Sequence, residues 1–441
     1  MTETGIVIAM FFSFLFSLFL GTPLVYVLGG LSIIFGFLFW GDTNIIALFV
    51  RTTTKLATTT SYVCIPLFII MGAALEKSGA AAELFESIHV IMGRIKGGLA
   101  IATVIICALM GAATGVIGAS ITIMGLMALP AMLKCGYSKT LASGVVMAGG
   151  SLGSLIPPSV ILVVYAGLSQ LSISKLFAGG MGSGLFLTFL YIIYIVVLCI
   201  IKPDVAPPIT QEQRESYDKK ELQKMFWSSF VPTISLIVAV LGSIMSGIAT
   251  PNEASALGAL GAFILAAFKK KFNMKMVMEC SYNAIKTTSM VVWIILTASM
   301  FTSVFLGLGG GRVVTELIMN LGGGNRWLIL AIILGIIALM GLFLDSTGTL
   351  MIGVPLFTPI LYSLGFDPLW FGIIFAVMIQ LDYLSPPFAY AIFYLRAVAP
   401  PEVTTKDMYY AIIPFMLVQA LSIVIMCFFP QIIQVLPSMV K

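Results

Sequence analysis

The stretch GSLGSLIPPS, residues 150–159, interrupts an apolar region with the adjacent prolines Pro157 and Pro158. A second pair, Pro386 and Pro387, lies 229 residues later in equally apolar surroundings. Proline lacks an amide hydrogen and clashes with the preceding helical turn, so each pair is expected to break a helix. In lipid, an interrupted backbone is tolerated only where protein or a watery cavity satisfies the freed polar groups. The two pairs therefore predict two broken helices within a membrane.

The same offset recurs along the chain, which indicates a duplication. The matches at offsets of 228 to 230 are Pro130 with Pro359, Gly136 with Gly365, Tyr165 with Tyr394, the tetrapeptide ALMG at 108–111 and 338–341, and Thr22-Pro23 with Thr250-Pro251. One structural unit is thus written twice, each copy with its own helix break. Paired breaks at matching places in two halves point to the binding site of a transporter.

The composition predicts a polytopic, all-α membrane protein. The chain has 441 residues, of which 60% are hydrophobic and 9% are charged, and its mean hydropathy is +1.10. No soluble fold covers so much apolar side chain. The apolar runs are continuous rather than alternating, which argues against a β-barrel. The amino terminus lacks a basic region, so we expect the first helix to be retained and not cleaved as a signal peptide.

Catalytic and metal chemistry have little support. The six cysteines are scattered without a CxxC pair and are interpreted as small buried hydrophobes. The single histidine, His89, lies in an amphipathic stretch and is interpreted as a surface or packing residue. An intramembrane enzyme would need a nucleophile–base or metal constellation, and a channel would need a continuous polar pore. We therefore expect no enzyme and no organic cofactor.

Positive charge is concentrated in two polar segments. They hold Lys202, Arg214, Lys219, Lys220 and Lys224 in the first and Lys269, Lys270, Lys271 and Lys275 in the second. Two hydrophobic spans separate the segments, so both lie on one face, which the positive-inside rule makes cytoplasmic. The charge is expected to contact the lipid bilayer and not nucleic acid.

The organisation follows from the duplication. Repeat 1 is predicted over 1–201, a cytoplasmic linker loop over 202–226 and repeat 2 over 227–441. Each repeat is expected to hold scaffold helices with an amphipathic arm (about 1–96 and 227–326) and then a re-entrant hairpin with a broken helix (about 97–175 and 327–400), and a terminal helix follows at 405–432. The arms, residues 80–96 and 311–326, could equally be simple connectors. We expect the two repeats to be inverted. The number of membrane spans in one copy decides whether they are.

The break regions carry the oxygen atoms of the candidate site. Carbonyls that precede the prolines lose their helical partners, and with Ser and Thr hydroxyls they suit a weakly held sodium ion. The amino-terminal ends of half-helices suit a carboxylate or sulfonate. The alternative is that Gly, Ser and Thr only allow close helix packing.

Four charged residues can each be interpreted as functional or as structural. Asp345 and Asp382 are embedded in the second break region, where an intramembrane carboxylate indicates a functional site; each could instead cap a half-helix. Neither has an acidic counterpart in copy one. Arg396 could attract an organic anion or extend to the interface. Glu253 follows a proline at a helix start, where a structural role is favoured.

Three segments resemble a known family. GSLGSLIPPS (150–159), ATPNEASALGA (249–259) and LSPPFAYAIFYLRAVAP (384–400) are similar to the large membrane subunit, the DctM-like M subunit, of tripartite ATP-independent periplasmic (TRAP) transporters, over nearly the whole chain. The resemblance implies an elevator-type transporter of the ion-transporter superfamily in the bacterial inner membrane. It implies sodium-coupled import of a small organic anion, with two or more sodium ions, a separate small four-helix membrane subunit and a periplasmic substrate-binding protein.

The resemblance also implies site residues. One sodium ion would lie among Thr114, Val116, Gly153, Ile156 and Pro158, and internal symmetry places a second among Ser346, Thr347, Thr349, Gln380, Asp382 and Ser385. An acid at Asp382 departs from the neutral pattern expected there, which leaves Na⁺ and H⁺ as alternatives. The substrate would lie between the hairpin tips, with Ser120, Ser151, Asp345 and Arg396 as candidate contacts. The competing interpretation is a stand-alone organic anion transporter or antiporter of the same superfamily.

Overall fold

The computed structural model describes residues 2–93, 95–115, 117–208, 219–386 and 389–440, which form helices joined by short turns. In chain order they are α1 Glu3–Phe19, α2 Leu24–Phe39, α3 Asp42–Thr58, α4 Cys64–Lys77, α5 Ala80–Met92, α6 Gly98–Thr114, α7 Ile117–Lys134, α8 Lys139–Ser151, α9 Val160–Ser169, α10 Ile173–Ile201, α11 Lys219–Met245, α12 Pro251–Phe268, α13 Met274–Gly307, α14 Gly310–Gly322, α15 Arg326–Gly341, α16 Ser346–Ser363, α17 Pro368–Asp382, α18 Tyr390–Arg396, α19 Thr405–Phe428 and α20 Gln431–Ser438. Short 3₁₀ helices lie at Thr60–Val63, Leu152–Ser154 and Pro203–Val205.

Element order repeats along the chain. From α2 to α10 and from α12 to α19 the order is a helix, a long or divided helix, an arm, a hairpin, a broken helix and a final helix. The hairpins are α6–α7 and α15–α16, the arms are α5 and α14, and the broken helices are α8–α9 and α17–α18. Copy one divides its second helix into α3 and α4, where copy two has the single long α13.

The copies pack on each other reciprocally. Helix α2 packs on α13 and α4 on α12, while α8 packs on α19 and α10 on α17. Two hydrogen bonds join residues that are each other's repeat counterparts: Gln380 Nε2 donates to Ser151 Oγ at 3.3 Å, and Tyr191 Oη donates to Gln419 Oε1 at 3.3 Å. Counterparts can meet only at an axis that exchanges the copies. A pseudo-twofold axis therefore passes between the broken helices.

The repeats are inverted, as predicted. Lys269, next to the start of α13, forms an ion pair with Glu83 of arm α5, whereas arm α14 begins directly after the other end of α13. At 1.5 Å per residue, α13 is about 50 Å long, enough to cross the bilayer. The arms thus lie at opposite faces. We call the end with Lys269–Lys271 and residues 202–208 the lysine face.

Seven described helices or helix pairs are long and apolar enough to cross a membrane, and shorter apolar helices form the hairpins and half-helices. The prediction of an all-α polytopic membrane protein is confirmed. One boundary differs from the sequence expectation, and one helix has little apolar signal. In α3 the threonines, Arg51 and Lys55 lower the hydropathy. Helix α11 begins at Lys219, inside the predicted linker 202–226, and Arg214 lies outside the described residues.

Glu253 has the structural role that the sequence favours. Its carboxylate accepts hydrogen bonds from the Thr250 amide and hydroxyl, both at 2.8 Å, while the Thr250 hydroxyl accepts from the Glu253 amide. This capping box satisfies amides at the start of α12 that have no helical partner.

Candidate functional site

The first break joins α8 to α9 through a 3₁₀ turn and the Pro157-Pro158 pair. The helical partner of the Gly153 carbonyl would be the amide of residue 157, which as proline has no hydrogen to donate. The Ser154 carbonyl meets the same obstacle at Pro158, but it accepts from the Ser159 hydroxyl instead. Ser159 also caps α9 by accepting from the Leu162 amide. The break therefore leaves a backbone oxygen at Gly153 beside a set of satisfied hydroxyls.

The tip of the first hairpin closes against this break. Gly115 has a positive φ of 61°, and a Cβ atom there would lie 2.2 Å from the Pro158 carbonyl oxygen. One turn earlier, a Cβ on Gly111 would lie 2.6 Å from Gly153 Cα. Only glycine allows backbones to approach so closely. The Thr114 hydroxyl, which donates to the Met110 carbonyl at 2.9 Å, is held at the same level.

The second hairpin has a charged tip. Asp345 caps α16, its carboxylate accepting from the Thr347 and Gly348 amides, both at 3.2 Å. The next residue, Ser346, accepts a hydrogen bond from the Tyr383 hydroxyl at 2.6 Å. Tyr383 belongs to the second break, so the hairpin tip and the break are joined by a side-chain hydrogen bond as well as by packing.

Asp382 is the main difference between the breaks. It occupies the position of Gly153, and its carboxyl group covers Gly341, the counterpart of Gly111: a Cβ on Gly341 would lie 1.8 Å from Asp382 Cγ. The residue is only 5% exposed. Neither carboxyl oxygen has a hydrogen-bond partner among the described residues. A buried carboxyl group without partners is costly and indicates a place for a cation or a proton.

Two other predicted residues share this condition. Gln380 Oε1, two residues before Asp382, and Thr349 Oγ1 on α16 are also buried without a described partner, although Gln380 donates through its amide nitrogen to Ser151. By contrast, the Ser385 hydroxyl donates to the Leu381 carbonyl at 3.0 Å. The second break and its hairpin thus hold four buried side-chain oxygens without a hydrogen-bond partner among the described residues, on three of the six residues that internal symmetry predicts.

The remaining predicted residues divide into three groups. Ser120 and Ser151 are buried with the first break, and the Thr114 and Ser120 hydroxyl oxygens are 3.5 Å apart. Ile156 is buried in the break itself. Val116 and Pro387 lie outside the described residues. Arg396 is exposed at the end of α18 and donates to the Val403 carbonyl at 3.0 Å. This hydrogen bond gives Arg396 a partner in the interpretation in which its side chain extends to the interface. A contact between Arg396 and the substrate stays a prediction.

Sequence reasoning missed the glycines and the tyrosine that assemble the site. Gly111 and Gly341 end the repeated ALMG tetrapeptide, so the duplication identified them as counterparts. It did not predict that they approach Gly153 and Asp382 closely. Gly72 of α4 is similar: a Cβ there would lie 2.6 Å from Thr114 Cα. Tyr383 carried no signal, because a tyrosine beside a proline pair has no distinctive spacing.

The donor set fits sodium. Hydroxyl, amide carbonyl, backbone carbonyl and carboxylate oxygens are ligands that broken helices can offer to Na⁺, and the described residues of both breaks carry no thiol or imidazole side chain. The first break would hold a cation with backbone and hydroxyl oxygens. The second would add the negative charge of Asp382.

Inverted repeats, paired hairpins and paired broken helices define a secondary-transporter fold. A solved structure shares it: the YdaH transporter of Alcanivorax borkumensis matches with a TM-score of 0.62 over 93% of this chain and 98% of that one, at 14% identity. The family model for the DctM component of tripartite ATP-independent periplasmic transporters matches residues 11–432. The chain belongs to this family, which confirms the resemblance of its three motifs.

Two curated relatives show how varied the family's named substrates are. The C4-dicarboxylate TRAP transporter large permease protein DctM of Vibrio cholerae is 29% identical over 441 residues, covering 95% of this chain and 94% of that protein. The ectoine TRAP transporter large permease protein TeaC of Halomonas elongata is 26% identical over 419 residues, covering 94% and 95%. The chain is thus a TRAP large permease, while its substrate is not fixed by likeness.

Proposed function

We propose that this protein imports a small organic anion, a carboxylate or sulfonate, across the bacterial inner membrane by coupling it to the inward movement of sodium ions. The observations that support this most directly are the buried oxygens of Asp382, Gln380 and Thr349, which have no hydrogen-bond partner among the described residues. Their burial would be unfavourable in a purely structural role, and a cation or a proton would satisfy them. Membership of the TRAP family supports transport as the activity.

The coupling ions are proposed to lie behind the two hairpin tips. One would contact Thr114 and the carbonyls of Gly153, Ile156 and Pro158, and the other Asp382 with its neighbouring oxygens. Because each ion position joins a hairpin to a broken helix, an ion bound there would hold both tips in place. The tips would then form the anion site only when sodium is present, which gives coupling a physical cause.

The anion is proposed to lie between the tips and nearer to the first. Asp345 already occupies the amino-terminal amides of α16 with its own carboxylate, and its charge would repel a second anion. The first tip is neutral, with hydroxyls at Thr114 and Ser120 beside the amino-terminal end of α7. A helix amino terminus with neutral donors favours an anion.

Movement and partners complete the proposal. The hairpins and broken helices would move as one body against the helices that pack around the arms, in an elevator mechanism. A small four-helix membrane subunit would support those helices, and a periplasmic substrate-binding protein would deliver the anion. The movement would break the contact at Gly72, where α4 meets the first hairpin tip.

Reconstituted uptake tests the proposal. The full system, with small subunit and binding protein, would be placed in liposomes, and uptake of candidate anions such as succinate or isethionate would be measured with sodium or potassium outside. We expect uptake only with both sodium and the binding protein. Undiminished uptake after removal of the binding protein would favour the stand-alone transporter, and undiminished uptake in potassium would refute sodium coupling.

A further inference from the structure

A cavity of about 410 Å³ lies away from the hairpin tips, among α3, the 3₁₀ turn at Thr60–Val63, α9 and α13. Its walls include Ile295, Ser299 and Ser303 from the second half of α13, which starts at the lysine face and crosses to the other side. The cavity therefore faces the side opposite the lysine face. Its volume is in the range of small-molecule sites.

The lining is positively charged. Arg51 and Lys55 lie one turn apart on α3, and no aspartate or glutamate lines the cavity. Among the described residues, the three ion pairs formed by basic side chains use Lys77, Lys269 and Arg312, and neither Arg51 nor Lys55 takes part in one. Side chains four apart on a helix have Cβ atoms about 6 Å apart. Two exposed cationic residues thus lie side by side at this cavity, and neither forms an ion pair among the described residues.

The other lining residues supply donors and an apolar wall. The hydroxyls of Thr52, Tyr62 and Ser299 line the cavity, and none of them donates to another described atom. Trp40, Leu48 and Leu56 form an apolar side. Two cations and three neutral donors suit carboxylate oxygens, and the apolar side suits a short carbon chain. A doubly charged ligand would neutralise both cations, which a monoanion cannot do.

The cavity is separate from the hairpin site. Along α9, Leu168 at the cavity is eight residues from Val160 at the first break, or about 12 Å at 1.5 Å per residue. The walls also come from both predicted portions of the molecule: α3 and α13 from the scaffold, and α9 from the mobile part. A ligand bound here would lie on the side of the membrane opposite the lysine face, close to the site between the hairpin tips.

We propose that this cavity is a receiving site for a small dicarboxylate on the outer side of the membrane, with Arg51 and Lys55 each neutralising one end or one oxygen pair. The inference rests on the proposed function only in naming the ligand as the transported anion.

Protection of an introduced thiol tests the site. In the full chain in phosphatidylcholine nanodiscs, where both faces are accessible, the variant Ser303→Cys would be labelled with a cationic thiosulfonate reagent at constant sodium. Succinate should slow labelling at a concentration at least about tenfold below that of the monoanion isethionate, a difference of about 1.4 kcal/mol. The native chain corrects for its own cysteines, four of which are buried.

Charge variants in the Ser303→Cys background identify the groups responsible. Arg51→Gln and Lys55→Gln should each raise the protective succinate concentration about tenfold, while Lys55→Arg should retain protection. Lys175→Gln is the matched control, because Lys175 is exposed near the start of α10 and does not line the cavity. Equal protection in Arg51→Gln would overturn the proposal.

Two further outcomes separate the alternatives. If phosphatidylglycerol in the nanodisc protects the thiol and succinate adds nothing, the cavity is a lipid headgroup site and the proposal fails. If succinate protects but the reconstituted system shows no sodium-dependent uptake, the receiving site stands and the proposed function falls. If uptake depends on sodium but succinate does not protect the thiol, the proposed function stands and the receiving site is refuted.

Discussion

The two helix breaks have the same backbone plan but leave different oxygen atoms without partners. At the first break, Gly111 and Gly153 bring two backbones together, the serine hydroxyls donate to carbonyls, and the backbone oxygen of Gly153 loses its helical partner to Pro157. At the second, the carbonyls of Asp382 and Tyr383 accept from the Ser385 and Ala391 amides, both at 3.1 Å. Side-chain oxygens remain without partners instead, chiefly those of Asp382.

This difference teaches that duplication preserved the geometry while the chemistry diverged. A site made of neutral oxygens becomes positively charged when it holds a cation, whereas a buried carboxylate is neutralised by the cation that it binds. The second break is therefore the better candidate for obligatory coupling, since an empty, ionised Asp382 would be unfavourable in its buried position.

The largest effect is expected for Asp382→Asn, which keeps the side-chain volume and removes the charge. Without the carboxylate, cation binding at the second break no longer gains a charge pair, so we expect uptake to fall at least about tenfold, or about 1.4 kcal/mol. Reconstituted uptake at a series of sodium concentrations would measure this, with the amount of folded protein checked by size-exclusion chromatography.

Asp382→Glu distinguishes charge from shape. If it restores part of the sodium dependence, the carboxylate acts through its charge; if Asp382→Asn retains native uptake, the second break is not the coupling site. A change that responds to outside pH and not to sodium would assign the carboxyl group to a proton.

Substitution of the paired glycines should affect the copies unequally. In Gly111→Ala the new methyl group would meet the backbone of Gly153, which cannot rotate away, so we expect a loss of about 1–3 kcal/mol of stability. In Gly341→Ala the three atoms nearest to the methyl group all belong to the Asp382 side chain, so the midpoint of thermal unfolding should fall less while uptake is still lost.

A second-site change and a matched control sharpen this test. Asp382→Gly should restore the thermal midpoint of Gly341→Ala, because it removes the group that the methyl would contact, but it should not rescue Gly111→Ala. Gly335→Ala on the same helix, α15, is the control, since a Cβ there would have no atom within 4 Å. Equal destabilisation by all three alanines would show that the close approach does not decide the effect, because helix propensity alone would make each of these changes stabilising.

Hydroxyl removal at the tips should have a smaller effect. Thr114→Ala and Ser346→Ala are each expected to raise the sodium concentration for half-maximal uptake by roughly fivefold, the equivalent of about 1 kcal/mol per lost oxygen contact. Thr103→Ala is the control, because its buried hydroxyl donates to the Leu99 carbonyl in the same way but lies three turns from the tip. An unchanged sodium requirement in both tip variants would remove these hydroxyls from the ion sites.

The sequence could predict the fold because the signals were local or repeated. Proline pairs, apolar runs and a constant offset marked the hairpins, the arms and the broken helices, and they marked Asp345 and Asp382 as acids without a counterpart in copy one. The rest depends on contacts between segments far apart in the chain. Nothing in the spacing of Tyr383 predicts its hydrogen bond to Ser346, and the threonine-rich α3 with its cationic cavity does not have the hydropathy of a membrane helix.

The smallest effects are expected at the arms, where the copies again differ in charge. Glu83 of α5 and Arg312 of α14 are repeat counterparts 229 residues apart, and each forms an ion pair with the other copy, Glu83 with Lys269 and Arg312 with Glu3. Lys269 is only 11% exposed, whereas the second pair is more than 60% exposed on both sides. Glu83→Gln should therefore lower the thermal midpoint measurably, because it leaves a shielded ammonium group without its charge partner. Arg312→Gln should leave the midpoint unchanged, since exposed pairs contribute about 0–1 kcal/mol. The reverse order would mean that the outer arm, not the lysine-face arm, is the firmer attachment between the copies.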